Sequence, residues 1–266
     1  MFQCAVTCAE VCCTGATMLT LDEVGTLYRH FPITVGFRQY SPVDSSHRDF
    51  LDTVAERAGD VYIMGDFIAG NWRRKRCAML SSARLCSLHN TGLKPIQCRI
   101  VPFCAVYPEN RQHAVLAEQQ MGAFRKCRGF QQGTRENREV WSNGIITDTE
   151  TRQAFYGYRE NLGRQRRFMQ AILDECKALP AFQRFLAGKG ILEAPIPASM
   201  LSELLSEAGV PEDDHQHYLR FQAELCLREL GSRTPSLVFQ DALQQLKQLM
   251  NTGEPLLGKE NIITKQ

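Results

Sequence analysis

The sequence predicts a mostly α protein in which an irregular, metal-organised, cysteine-rich N-terminal module carries a helical C-terminal region. Three observations lead there. Apolar residues recur at helical spacing over several long stretches. The segment 70–108 has no clean period, yet it holds Gly70, Gly92, Pro95, Pro102, Pro108 and four cysteines. Nine of the 11 cysteines fall in the first 127 positions.

The elements follow in order. Residues 1–18 form a cysteine-dense lead. Thr20 and Glu23 then make a capping box, in which a hydroxyl and a carboxylate each satisfy an orphan backbone N–H. Leu21, Val24, Leu27, Tyr28 and Phe31 continue it at helical spacing, and Pro32 ends the helix. A second helix is expected from about Ser46 to Ala58, with Phe50, Leu51 and Val54 inward, and DVYIMGDF (Asp60 to Phe67) reads as a strand or short hairpin arm. After the loop of 70–108, a helix is expected from about Pro108 to Lys126.

From about residue 134 the character changes, so the division is a cysteine-cluster domain over 1–133 and a helical region over 134–266. Asp148 or Thr149 caps a long helix toward Ala178, with Phe155, Tyr158, Leu162, Phe168, Ile172 and Leu173 as its apolar stripe. Further helices are expected near 180–187, 198–208, 212–231 and 236–250. Pro211 suits a first helical position, and Gly209 and Gly231 suit helix stops.

Composition excludes several classes. The hydrophobic fraction of 44% and charged fraction of 23% exclude a wholly disordered chain. A formal charge of +2 gives no global drive toward nucleic acid or an anionic membrane. No run of about 18 apolar residues occurs, as a spanning helix would need. The N-terminus lacks a basic region, and Glu10 interrupts its apolar stretch, so a secretory signal is not expected and the protein reads as cytoplasmic. Thiols there are kept reduced, which points clustered cysteines toward metal or catalysis rather than disulfides.

The cysteines carry the chemistry. Cys4, Cys8, Cys12 and Cys13 give C-x3-C-x3-C-C, while Cys77, Cys86 and Cys98 give C-x8-C-x11-C, followed by Cys104 and Cys127. Thiolate is the soft ligand of zinc and of iron–sulfur centres. No C-x2-C pair exists, which excludes zinc knuckles, thioredoxin-like motifs and the ferredoxin run. No glycine-rich phosphate loop appears either. Cys176 and Cys226 each stand on an expected helix at an apolar position and read as core filling.

The CC-ending lead, CAMLSSARLCSLHNTGLKPIQCRIVPF and CRGFQQG together resemble the YkgJ-type cysteine-cluster family, a zinc- or iron-chelating domain. The matching positions are Cys4, Cys8, Cys12, Cys13, Cys77, Cys86, Cys98 with Arg99, and Cys127 with Gly129 and Gly133. Pro95 matches the proline of an Arg-Pro pair whose arginine is Lys94 here. The resemblance covers about residues 1–133. It implies eight cysteine ligands, holding a [4Fe–4S] cluster or zinc, with Arg99 beside them as a supporting residue. The family includes a flagellin lysine N-methylase. That implies a second reading, an enzyme using the cluster in methyl transfer with S-adenosylmethionine, whose substrate and donor positions cannot be mapped onto this chain. A third reading is a zinc-stapled module whose helical half recruits a protein partner.

The other signals are weaker. Arg73, Arg74, Lys75 and Arg76 read as a solvated loop; the alternatives are that they offset the charge of a thiolate cluster and lower its thiol pKa values, or that they touch an acidic partner or nucleic acid. His89 reads as a surface or core histidine, and His215 and His217 as exposed. Arg159, Arg164, Arg166 and Arg167 read as a solvated helix face opposite Phe168.

Overall fold

The computed structural model describes residues 2–5, 13, 17–31, 33–69, 77, 79–82, 86–89, 91–122, 124–127, 130, 137–178, 180–188, 190–194, 196, 198–218 and 220. Its architecture is mixed α/β, which corrects the expectation of a mostly α chain with an irregular N-terminal module. Strands β2 (Thr17–Leu19), β3 (Ile33–Tyr40), β4 (Glu56–Ala58) and β5 (Val61–Ala69) form an antiparallel sheet with β8 (Leu192–Ala194), in the order β2-β5-β3-β8, with β4 also on β5. A smaller sheet joins β1 (Phe2–Ala5), β6 (Asn137–Ser142) and β7 (Ile145–Ile146). Elements from both sides of residue 133 therefore share sheets and cores.

The absence from the sequence reading of β3, the longest of the strands it misses, has a physical explanation. Its sequence ITVGFRQY is buried along most of its length, so no alternation of polar and apolar residues marks it. Gly36 lies in it because a Cβ there would fall 2.1 Å from the Ile68 side chain on β5. The β6–β7 hairpin turns through Asn143 (φ 50°) and Gly144 (φ 83°), the left-handed pair that a two-residue hairpin loop requires.

The helices follow the sequence more closely. Helix α1 (Leu21–Leu27) has the complete Thr20–Glu23 capping box and buries Leu21, Val24 and Leu27. Helix α2 (Ser45–Val54) is capped by Asp44, and its inward residues are His47, Leu51 and Val54. Within the expected loop of 70–108, α3 (Ile96–Ile100) is a short helix. A 3-10 turn (Glu109–Arg111) leads into α4 (Gln112–Met121). The long helix α5 (Thr149–Lys177) starts at Asp148, whose carboxylate accepts from the Thr151 backbone N–H and hydroxyl. Helices α6 (Pro180–Ala187) and α7 (Ala198–Glu207) follow. Residues 212–218 are helical, while the helix expected at 236–250 and Gly231 lie outside the described residues. No described helix is long and apolar enough to cross a membrane.

Helix α5 spans both cores. Its N-terminal half puts Phe155, Tyr158 and Leu162 into one cluster with Tyr62 and Met64 of β5. Its C-terminal half puts Phe168, Ile172 and Leu173 into the other, with Ile63 and Phe67. Gly65 makes the close approach: a Cβ would meet the Phe37 ring at 2.6 Å and Met169 Sδ at 2.8 Å. On the edge of β5 away from β3, β2 pairs with residues 67–69 and β4 with residues 61–63. The stretch between them is served by α5 instead. Gln165 donates to the Gly65 carbonyl (3.4 Å) and to Asp66 Oδ1 (3.3 Å), and the Tyr158 hydroxyl donates to the same Oδ1 at 2.7 Å. Asp66 is fully buried, with Arg38 Nη1 3.9 Å from its other oxygen. Burial pushes the Asp66 carboxyl up from its usual range, while Arg38, Tyr158 and Gln165 pull it down.

Tyr158→Phe removes the shortest of these bonds and leaves a buried carboxylate short of a donor. The expected loss is about 1–3 kcal/mol in a urea-unfolding measurement with unchanged denaturant slope. A midpoint equal to wild type would mean that this bond does not hold α5 to the sheet.

Candidate metal centre

The pairing of β2 with β5 sets where the cysteines meet. Thr17 opens β2 opposite Ala69, the last residue of β5, so the chain before Thr17 and the chain after Ala69 leave the sheet at the same end. Cys13 lies on the first and Cys77 on the second, and the Cys77 backbone N–H donates to the Cys13 carbonyl at 2.7 Å. Beyond Cys77 the chain folds back: Leu80 and Cys86 form an antiparallel bridge, and the Ser87 N–H donates to the Met79 carbonyl. Cys77, Met79 and Cys86 pack on the first core. Helix α3 brings Cys98, whose thiol lies 3.7 Å from the Thr17 hydroxyl.

Cys13, Cys77 and Cys98 thus come within electrostatic reach of one another, and Cys86 within reach of Cys77. Burial pushes Cys77 up to about 11, with the Cys13 and Cys86 thiols adding to the rise. Burial likewise pushes Cys98 up to about 12; Cys77 and Cys13 add to that, while the Thr17 hydroxyl and Lys94 oppose it. Cys13, Cys77, Cys86, Cys98, Cys104, Cys127 and Cys176 form no disulfide. Among the described residues, no three His, Cys, Asp or Glu side chains are gathered closely enough to hold a metal as they stand. The four thiols are neighbours rather than a finished ligand shell.

The remaining expected ligands fall elsewhere. Cys4 is on β1, in register with Arg138, in the smaller sheet. Cys127 is buried in the second core, and Cys104 packs against that core. Gln112 brackets Cys104 by accepting from its backbone N–H and donating to its carbonyl. Cys8 and Cys12, the basic run of residues 73–76, Gly129 and Gly133, and Cys226 lie outside the described residues. Cys176 is buried on α5 in the first core, as a small apolar group would be.

The supporting residues differ in part from the sequence reading. Arg99 is exposed on α3, and its charge adds a small favourable influence on the half-buried carboxylate of Glu23. His89 is exposed. His215 is buried, which corrects its reading as exposed; its Nε2 lies 3.0 Å from the Val210 carbonyl. Tyr218, one turn on, shares that face and packs on Tyr28 with ring centroids 4.6 Å apart. His217 is exposed as expected. The basic face of α5 is matched within the chain. Arg164 pairs with Asp22, Arg167 with Glu203 and Glu207, and Arg166 donates to the Asp52 and Thr53 carbonyls. Arg159 stacks on Phe50 and donates to the Ala105 carbonyl.

Sequence reasoning missed Thr17, Arg38 and Asp66. Asp66 carried a signal, since an acid within the apolar run VYIMGDF must find partners inside the protein. Thr17 carried none, because its contact with Cys98 spans 81 positions. The chain matches no family model, no curated protein and no solved structure.

The raised thiols make stability depend on pH in a definite direction. In the unfolded chain they ionise near about 8.5, whereas Cys77 and Cys98 in the metal-free fold hold their protons to about 11 and about 12. The unfolded state loses protons first, so stability is full below about pH 8.5 and falls as pH rises above it. The expected result is a declining melting temperature of metal-free protein between about pH 8.5 and 10, with a shallower decline in Cys98→Ala. Identical slopes in the two proteins would contradict the buried-thiol assignment.

Proposed function

We propose that this is a cysteine-ligated metal-binding protein whose centre is built on Cys13, Cys77, Cys86 and Cys98. The support for the reading is the convergence of three segments: those bearing Cys13 and Cys77 leave the sheet at one end joined by a backbone bond, Cys86 folds back onto Leu80, and Cys98 is held against Thr17. The donor chemistry fits. Sulfur ligands suit zinc or an iron–sulfur cluster and do not suit a hard, oxygen-seeking cation. The thiols would have to come closer together to close the shell. Cys4, Cys8, Cys12 and Cys127 complete the proposed ligand set, enough for a second centre. Between the two metals, an iron–sulfur cluster is the first reading and zinc the alternative.

The chain's own part in binding is to exchange protons for metal. Each thiol must lose its proton to become a ligand, and burial holds the Cys77 and Cys98 protons tightly. Metal affinity should therefore rise steeply with pH. A half-buried site also limits competition from water once the thiolates are engaged. The reading places the protein in the cytoplasm, where thiols remain reduced.

Metal per chain, measured on anaerobically purified protein together with its absorption spectrum, tests the proposal. Broad visible absorption marks iron–sulfur, and a colourless protein holding zinc marks the alternative. Cys98→Ala is expected to abolish or halve the metal content, and Cys176→Ala to leave it unchanged. Full metal content in Cys98→Ala, or no bound metal in the wild-type protein, would overturn the reading.

A further inference from the structure

Glu23 is a half-buried carboxylate that the capping box alone does not account for. A capping-box glutamate needs only one oxygen, and here Oε2 accepts from the Thr20 N–H at 2.9 Å. The other oxygen, Oε1, accepts from the backbone N–H of Ile96 at 2.5 Å. Ile96 is the first residue of α3, and the preceding Pro95 makes no side-chain cap bond. A five-residue helix cannot hold itself together by its own hydrogen bonds, so α3 depends on such outside contacts. Thr17 touches Cys98 from the same segment that carries Glu23. Residues 17–23 thus grip α3 twice, once at its start and once at its thiol.

We infer that Glu23 is the positioning residue of the thiol site: its carboxylate joins the start of α1 to the start of α3 and thereby fixes where Cys98 stands. The inference rests on the metal-binding reading for its consequence, though not for its geometry. Taking a carboxylate out of water is costly unless hydrogen bonds or a positive charge offset it. The Thr20 and Ile96 backbone N–H groups do most of this for Glu23, and the charge of Arg99, the residue after Cys98, adds a smaller part.

The carboxylate has two acceptor oxygens, and its amide replacement has one. Glu23→Gln can keep the α1 cap or the tie to α3, but not both. The test compares full-length wild type, Glu23→Gln and Val24→Ala. Val24 is buried one residue away in α1, so its truncation costs stability without touching the tie. Two quantities are read: cobalt(II) affinity, from thiolate-to-cobalt absorption during chelator competition, and the alkylation rate of Cys98 relative to Cys176 in folded, metal-free protein. Glu23→Gln is expected to weaken cobalt binding by about 10–100-fold and to speed alkylation of Cys98 alone. Val24→Ala should lower the melting temperature and change neither ratio.

Unchanged cobalt affinity and unchanged alkylation in Glu23→Gln would overturn the inference. Equal effects in Glu23→Gln and Val24→Ala would overturn it too, because general loss of stability would then suffice. If wild type takes no cobalt, the metal reading falls, and the Cys98 alkylation comparison still decides the positioning role. If Glu23→Gln does not fold, Glu23→Asp, which keeps both oxygens but shortens their reach to the Ile96 N–H, decides. Faster alkylation of Cys98 there supports the tie, and wild-type behaviour rejects it.

Discussion

Nine residues of β5 separate two apolar cores, and a strand buried on both faces must satisfy its backbone and any polar side chain without help from water. One edge is served by β3 along nearly its whole length. The other is divided between β2 and β4, and α5 reaches into the interval with Gln165 and Tyr158. That demand explains why α5 runs from one core to the other, and why Gly65 lies where the Phe37 ring and Met169 come close. It also gives Asp66 its role, since a carboxylate at the interval lets one helix bond to the strand through two side chains.

The thiol site inherits its position from the same strand. β5 ends opposite the start of β2, so the segments bearing Cys13 and Cys77 leave the sheet together. The sheet supplies the rigidity that a cysteine-rich loop lacks, and the α1 cap extends it to α3 through Glu23. A metal would then finish a site that the sheet has already half assembled, rather than organise the N-terminal region from nothing. This differs from the sequence expectation in a specific way: the apolar strands, not the metal, build the core of residues 17–69.

The helices were legible because their signals are local. The Thr20–Glu23 box, the Asp148 cap and the stripe from Phe155 to Leu173 all appear where spacing places them. The sheet was not legible, because β3 is buried on both faces and β2, β4, β7 and β8 are two or three residues long. Such short strands exist only through their partners. The hairpin at Asn143–Gly144 did carry a local signal, an Asn-Gly pair between β-branched and aromatic residues, which a search for helical period passes over. At the site, cysteine spacing and the family resemblance singled out Cys4, Cys8, Cys12, Cys13, Cys77, Cys86, Cys98 and Cys127 without separating Cys13, Cys77, Cys86 and Cys98 from the rest. They could not show that the strand register places Cys13 beside Cys77, or that a capping glutamate also seats the helix of Cys98.

X-ray absorption at the edge of whichever metal the purified protein holds reads the ligand atoms directly. Four sulfur neighbours near ~2.3 Å, and no nitrogen or oxygen in that shell, is the expected spectrum for zinc on these thiolates. For an iron–sulfur cluster, an all-sulfur shell with an iron neighbour beyond it is expected. A shell dominated by nitrogen or oxygen would contradict the assignment of the centre to Cys13, Cys77, Cys86 and Cys98.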